Sequence, residues 1–302
     1  MYRYRIYGVI VESEFELKLL VPAGEYDNSQ DVITIAEREV EKDVLCFLEE
    51  NNAIKKKYEI GFEISAFYNI GGFYLIRGGK EILVKIKEGF THETISAWIL
   101  GFCLSMALLQ RGILTIHCSA ISTEKGAILL SGTPGAGKSS LAGKLLEHGY
   151  KLMADDVAGI QFDNGDYMIH PAFPFQKLCS NEIKKKGLDK NNLIYINEDK
   201  DKYLVPVNNI FEYNPRKLNA FFYIIKAPVE KLSINQITGF DCFIAIKDNL
   251  FLHKLQGEWE KSPEIINMCM KIASKCPIYL VVRPENIDTL NEIYASILTL
   301  LN

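Results

Sequence analysis

Apolar and polar residues alternate in "YRYRIYGVIV" and "FELKLL" near the start of the chain, the two-residue period of half-buried strands. "FYLIRGGKEILVKI" (residues 73–86) is two apolar runs around Gly78-Gly79, which predicts a hairpin. Residues 33–50 read as a helix interrupting these strands. Residues 95–109, "ISAWILGFCLSMALL", are apolar almost throughout and end at Gln110 and Arg111. That run falls short of the ~20 residues a membrane span needs, so it predicts a helix buried on most faces.

Beyond it the pattern becomes α/β. "LTIHCSAI" and "AILLSG" read as strands forming a hairpin. Residues 138–148 read as a helix, with Leu141, Leu145 and Leu146 on one side and Gly149 as its stop. "KLMAD", "AFFYIIK" and "IYLVV" are further strands, and a helix is predicted near residues 263–274. Ile287, Leu290, Tyr294, Ile297 and Leu301 recur at helical spacing, with Pro284 suited to that helix's first turn. Residues 173–206 are polar and irregular, as in a solvated loop, and lie where a lid or acceptor-binding loop would be useful. The pattern divides the chain into a β-rich N-terminal domain, residues 1–94, and an α/β domain, residues 95–302. No repeat or low-complexity tract appears.

The 302 residues are 48% hydrophobic and 24% charged, the balance of an ordinary globular chain, with a formal net charge of −4. That charge gives no basic field for nucleic acid. None of the seven cysteines (Cys46, Cys103, Cys118, Cys179, Cys242, Cys269 and Cys276) has C-x-x-C spacing, which predicts reduced, mostly buried thiols. The start "MYRYRIYGVIVES" lacks a signal peptide's apolar core, so a cytoplasmic chain with no membrane association is expected.

Gly132-Thr133-Pro134-Gly135-Ala136-Gly137-Lys138-Ser139, followed by Ser140, satisfies G-x-x-x-x-G-K-[ST] between a predicted strand and a predicted helix. Glycines let the backbone curl so that successive N–H groups point at an anion, and the helix N-terminus adds partial positive charge. Lys138 can reach the β- and γ-phosphates, and the Ser139 hydroxyl can ligate Mg²⁺. The motif predicts a nucleoside triphosphate and is silent about an acceptor.

Asp155 and Asp156 follow Lys138 by one helix of about three turns, a tight turn and a short strand. Such a βαβ unit is expected to lay its two strands side by side and bring the carboxylates to the phosphate loop's sheet edge. One carboxylate can hold Mg²⁺ and the second can take a proton from an attacking hydroxyl; alternatively, one of them caps the following turn. His117 is the third piece. If Ile121 pairs with Ala127, His117 pairs with Ser131 and stands at the rim of the site, where it can orient a carboxylate.

"IHCSAI", "GTPGAGKSS" and "GYKLMADDV" together resemble the bacterial HPr kinase/phosphorylase group, and most of all its shorter relatives such as lasso-peptide precursor kinases. "HPAFPFQKLC", "DKYLVPV" and "PIYLVVRPENIDTL" are also similar to those relatives. The resemblance covers about residues 100–302. It implies a P-loop kinase domain of the HPr kinase/phosphoenolpyruvate carboxykinase-like type, using ATP and Mg²⁺ to phosphorylate a serine hydroxyl of a peptide or protein. It implies Asp155 as general base, Asp156 as the metal-side acid, and His117 beside them. Lys177 and Lys202 match basic positions able to contact phosphate or an acceptor carboxylate. HPr kinases form oligomers, so the resemblance also raises a homo-oligomer. The Glu-x-Arg-Gly stretch of true HPr kinases is not found, which favours the shorter relatives.

Three other readings use the same residues: a kinase for a small hydroxyl compound such as free serine, a P-loop NTPase, and a nucleotide-binding regulator without turnover. Asp156-Val-Ala-Gly159 matches the D-x-x-G of switch NTPases, but no [NT]-K-x-D motif accompanies it.

Overall fold

The computed structural model describes residues 1–24, 31–196 and 201–301. The chain is a mixed α/β fold with several sheets. It divides into two compact units, Met1–Thr115 with Leu250–Met268, and Ile116–Asn249 with Cys269–Asn302.

The first unit holds β1 (Tyr2–Ile6), β2 (Val9–Ser13), β3 (Val21–Pro22), β4 (Val32–Glu37), α1 (Glu41–Glu50), β5 (Tyr58–Glu59), β6 (Ile64–Tyr68), β7 (Gly72–Arg77) and β8 (Glu81–Ile86). Its sheet runs β3-β1-β2-β4-β8-β7-β6-β5. The hairpin at Gly78-Gly79 is present, pairing Arg77 with Glu81. Two expectations change. Residues 33–50 are not one helix: Ile33 and Ile35 are buried on one side of β4, and α1 begins only at Glu41. "FELKLL" is irregular rather than a strand; its Leu17 N–H donates to the Tyr4 hydroxyl at 2.8 Å, while Phe15, Leu17 and Leu19 are buried all the same.

The long apolar helix comprises α2 (His92–Trp98), a π-helical turn (Ile99–Cys103) and α3 (Leu104–Gln110). At 19 residues it is longer than the sequence predicted, and it is the one helix among the described residues long and apolar enough to cross a membrane. It groups with the N-terminal sheet, so the units part after Thr115 rather than at 94/95. The reason is local: Gln110 accepts from Gly79 N–H at 2.7 Å and donates to Gly61 O at 3.1 Å, and Trp98 lies so close to Gly71 that a Cβ there would meet it at 2.3 Å.

The chain leaves this unit through β9 (Leu114–Ile116) and enters β10 (Cys118–Thr123), β11 (Gly126–Gly132), α4 (Lys138–Glu147), β12 (Lys151–Ala154), β13 (Ala158–Asp163) and β14 (Asp166–Ile169). Then come β15 (Phe175–Cys179), α5 (Ser180–Lys185), β16 (Ile194–Ile196), β17 (Lys202–Pro206), β18 (Arg216–Ala227), β19 (Ser233–Ile237) and α6 (Phe240–Asp248). Leu250–Met268, which includes the start of α7 (Pro263–Lys275), belongs to the first unit, and the rest of α7, β20 (Ile278–Pro284) and α8 (Leu290–Leu301) complete the second.

The main sheet of the second unit follows β12-β10-β11-β18, and β20 joins β18. β11, β18 and β20 are mutually parallel, so their C-terminal ends share one edge. Leu141, Leu145 and Leu146 of α4 pack on Ile128, Leu130, Phe222 and Ile224, together with Ile293, Ile297 and Leu301 of α8. The βαβ expectation is corrected here. β12 does not lie beside β11, because the β10–β11 hairpin takes that edge first and leaves β12 to pair antiparallel with β10. Pro284 ends β20 instead of opening the last helix, which starts at Leu290. Residues 173–206 are also more ordered than their polarity predicted. β15, β17 and β16 form a small antiparallel sheet, although part of "NEDKDK" lies outside the described residues.

Candidate active site

The phosphate loop joins β11 to α4. Gly132 has φ 143°, and a Cβ there would lie 1.9 Å from the Ile224 carbonyl oxygen. Gly137, the N-cap of α4, has φ 101° and offers no side chain to the helix's first N–H groups. Those groups lack intrahelical partners, so they remain for a ligand. Lys138 extends back along the loop, donating to the Gly132 carbonyl at 2.6 Å. Burial lowers the pKa of its ammonium, and nearby Lys202 acts in the same direction, against Asp156 and Asp155.

Asp155 and Asp156 follow β12 directly. Asp155 is buried, and both its oxygens are held: Ser119 Oγ donates to Oδ1 at 2.7 Å and the Lys177 backbone N–H to Oδ2 at 2.8 Å. Burial raises its pKa above the ordinary value in spite of both donors. Asp156 sits in the left-handed region at φ 75°, which non-glycine residues seldom adopt. Lys177 Nζ lies 3.0 Å from its Oδ2, and His117 Nδ1 lies 3.4 Å from Oδ1 and 3.1 Å from its backbone oxygen. Burial pushes this carboxyl up, but Lys177 and His117 outweigh it and hold the group well below the usual carboxylate range. The two neighbouring acids are thus driven apart, one toward holding a proton and one toward a fixed negative charge.

The register of the β10–β11 hairpin is one residue from the expected one. Ile121 faces Ile128 and Cys118 faces Ser131, so His117 precedes the ladder. It is fixed through its backbone: its N–H donates to Asn249 O at 2.8 Å, and Ser131 Oγ donates to its carbonyl at 2.6 Å. The carbonyl of Asp156 can only accept, so His117 Nδ1 carries the proton in that contact.

One cleft of about 410 Å³ is lined by His117, Lys138, Ser139, Asp155, Asp156, Lys177 and Lys202, with Pro134, Gly135, Gly137 and Ser140 of the loop. Gly132, Thr133 and Ala136 belong to the loop but not to the cleft's lining. Ser119, Cys118, Cys179 and Glu182 also line it, and the sequence reading missed them as site residues. For Ser119 a signal existed: it stands two residues after His117, on the same side of the strand predicted for "LTIHCSAI". Cys179 and Glu182 carried no such signal, since they reach the cleft from β15 of the small sheet and from α5 after it. Among the described residues no cluster of His, Cys, Asp and Glu forms a metal site by itself. The oxygens suited to a hard cation are the Ser139 hydroxyl and the Asp156 carboxylate, both facing the cleft. A cradle closed to any Cβ at Gly132, an uncapped helix start, a lysine and a depressed carboxyl together fit a phosphate chain and its cation.

No family model matches the chain, and no curated protein matches it. The solved structure of the HPr(Ser) kinase/phosphatase from Coxiella burnetii is similar at 13% identity, over 61% of this chain and 88% of that chain, with a TM-score of 0.33. A likeness of that size carries no argument about function, which must come from the residues in the cleft.

Proposed function

We propose that the chain is an ATP- and Mg²⁺-dependent phosphotransferase that phosphorylates a serine or similar hydroxyl of a peptide or protein. The observation that carries this reading is the shared cleft: a triphosphate loop on one side and two carboxylates of opposite pKa shift on the other. Metal binding needs one acid, a part Asp156 can fill. A second carboxyl, buried and raised in pKa, is suited to accept a proton from an incoming group.

In this reading the loop amides and Lys138 hold the β- and γ-phosphates. Ser139 and Asp156 would hold the cation, which when bound neutralises charge on the phosphate oxygens. Lys177 keeps Asp156 ionised and its backbone N–H fixes Asp155. Asp155 accepts the acceptor's proton through a lone pair that Ser119 and Lys177 leave open. The acceptor oxygen bonds to the γ-phosphorus as the bond to the bridging oxygen breaks, releasing ADP. Lys138 and the loop amides stabilise charge on the transferring group and on that leaving oxygen. His117, braced by Asn249 and Ser131, holds Asp156 at the carboxylate oxygen that Lys177 does not take.

The test is incubation with γ-labelled ATP, Mg²⁺ and candidate peptides or cell extract, with mass spectrometry of labelled products. A phosphoserine in a peptide or protein supports the reading. Label appearing only in a small hydroxyl compound would move the acceptor class, and label only in inorganic phosphate would remove the kinase.

A further inference from the structure

Arg283 is the next-to-last residue of β20, and Pro284 after it has no N–H to extend the ladder. Its partner on β18 is Lys226, two residues beyond Ile224, which pairs with Gly132 of β11. Arg283 therefore emerges at the same sheet edge as the phosphate loop, with β18 between. Its side chain turns to the loop. Nη1 donates to the Ala136 carbonyl at 3.2 Å and Nη2 to the Ile287 carbonyl at 3.2 Å. A Cβ on Gly137 would lie only 2.7 Å from Nη1, so the guanidinium rests against the bare Cα of the helix N-cap. Nε is buried without a hydrogen-bond partner. A buried donor left unpaired is a cost the two carbonyl contacts must outweigh.

We infer that Arg283 is the positioning residue of the phosphate loop, holding the Ala136 carbonyl out of the anion cradle. This rests on reading the cleft as a nucleotide site. The peptide between Ala136 and Gly137 is the loop's weak point. Gly137 tolerates either sign of φ, so that peptide can rotate with little steric resistance. Rotation would exchange an inward N–H for an inward carbonyl, and a carbonyl oxygen repels phosphate as the N–H attracts it. A charge-assisted bond from Arg283 fixes the carbonyl on the outside. The second bond, to Ile287, ties the guanidinium to the segment ahead of α8. The loop is thereby ordered before the ligand arrives, and less ordering remains to be done on binding. A lysine keeps the charge but lacks the planar fork that spans two carbonyls.

The test is calorimetric titration of a non-hydrolysable ATP analogue and of adenosine into wild type, R283K and R283A, with melting temperatures measured alongside. The expected result is at least about tenfold weaker analogue binding in both variants, the size of one lost charge-assisted hydrogen bond, with adenosine binding unchanged. Low-millimolar guanidinium should restore the analogue affinity of R283A, which a general loss of folding would not allow. In turnover the loss should fall on KM more than on kcat, since the loop binds ground state and transition state alike. If R283A does not fold, R283K carries the test. Wild-type affinity in R283K overturns the inference, as does equal weakening of analogue and adenosine. Failure of wild type itself to bind the analogue overturns the nucleotide reading, and this inference with it.

Discussion

Lys177 reaches both members of the acidic pair: its ammonium lies 3.0 Å from Asp156 Oδ2, and its backbone N–H donates to Asp155 Oδ2 at 2.8 Å. One residue on β15 thus holds one carboxylate by its charge and the other by its backbone N–H; both contacts favour the ionised form, and burial outweighs them at Asp155 but not at Asp156.

Removing the Lys177 ammonium should free Asp156 for a cation. K177M is expected to bind Mn²⁺, measured by electron paramagnetic resonance without nucleotide, about threefold to tenfold more tightly than wild type, since one unit of competing interaction is worth about tenfold. Transfer should nevertheless fall. Unchanged Mn²⁺ affinity would place the cation elsewhere.

The two acids should affect stability with opposite signs. Asp155 has a raised folded pKa, so its ionisation opposes folding; the stability it lends when protonated is present below the ordinary carboxylate value and lost as pH rises through the folded one. D155N should therefore resist urea better than wild type at pH 7, with the advantage shrinking in acid. Asp156 has a lowered folded pKa, so its contribution is present above 3.8, the unperturbed value, and lost as pH falls through the folded one. D156N should cost between about 1 and about 4 kcal/mol at pH 7, because a pair with side chains 14% and 19% exposed lies between the surface and buried limits. Urea unfolding from pH 3 to pH 7 checks both signs.

In the phosphate loop, G132A should lose more than about 3 kcal/mol or fail to fold, since its Cβ would overlap the Ile224 carbonyl and its φ is closed to alanine. K138A should fold and bind the ATP analogue more weakly, with transfer lost too. Thermal unfolding and calorimetry separate the two effects.

H117A should lower the rate of transfer with little change in nucleotide affinity, because the His117 ring contacts Asp156. Unchanged turnover in steady-state kinetics would make the histidine structural.

What could be read from the sequence was what the chain settles locally. Glycine spacing encodes the backbone of residues 132–137 directly, and the Gly78-Gly79 hairpin follows from the same logic. Strand neighbours are non-local, so nothing in "KLMADD" revealed that β10 would stand between β12 and β11. The helix expected over residues 33–50 failed because Ile33 and Ile35 alternate as a strand does, while helix-forming residues follow close behind. "FELKLL" failed in the other direction: its apolar side chains are buried, but the Tyr4 hydroxyl takes a backbone bond that a strand partner would have made. In the site, the loop and the acids were legible by residue type. Ser119 as Asp155's donor, Lys177 as the bridge, and Arg283 against the loop depend on tertiary packing and left only weak traces in the spacing.

The most direct measurement is single-turnover transfer of label from γ-labelled ATP to the identified acceptor by wild type and D155N, with analogue affinity measured in both. Equal affinity and a transfer rate about 10²–10⁴ lower in D155N are expected, the range a positioned base supplies. A D155N rate near wild type would contradict this mechanism, as would wild-type release of label only to water whether or not an acceptor is present.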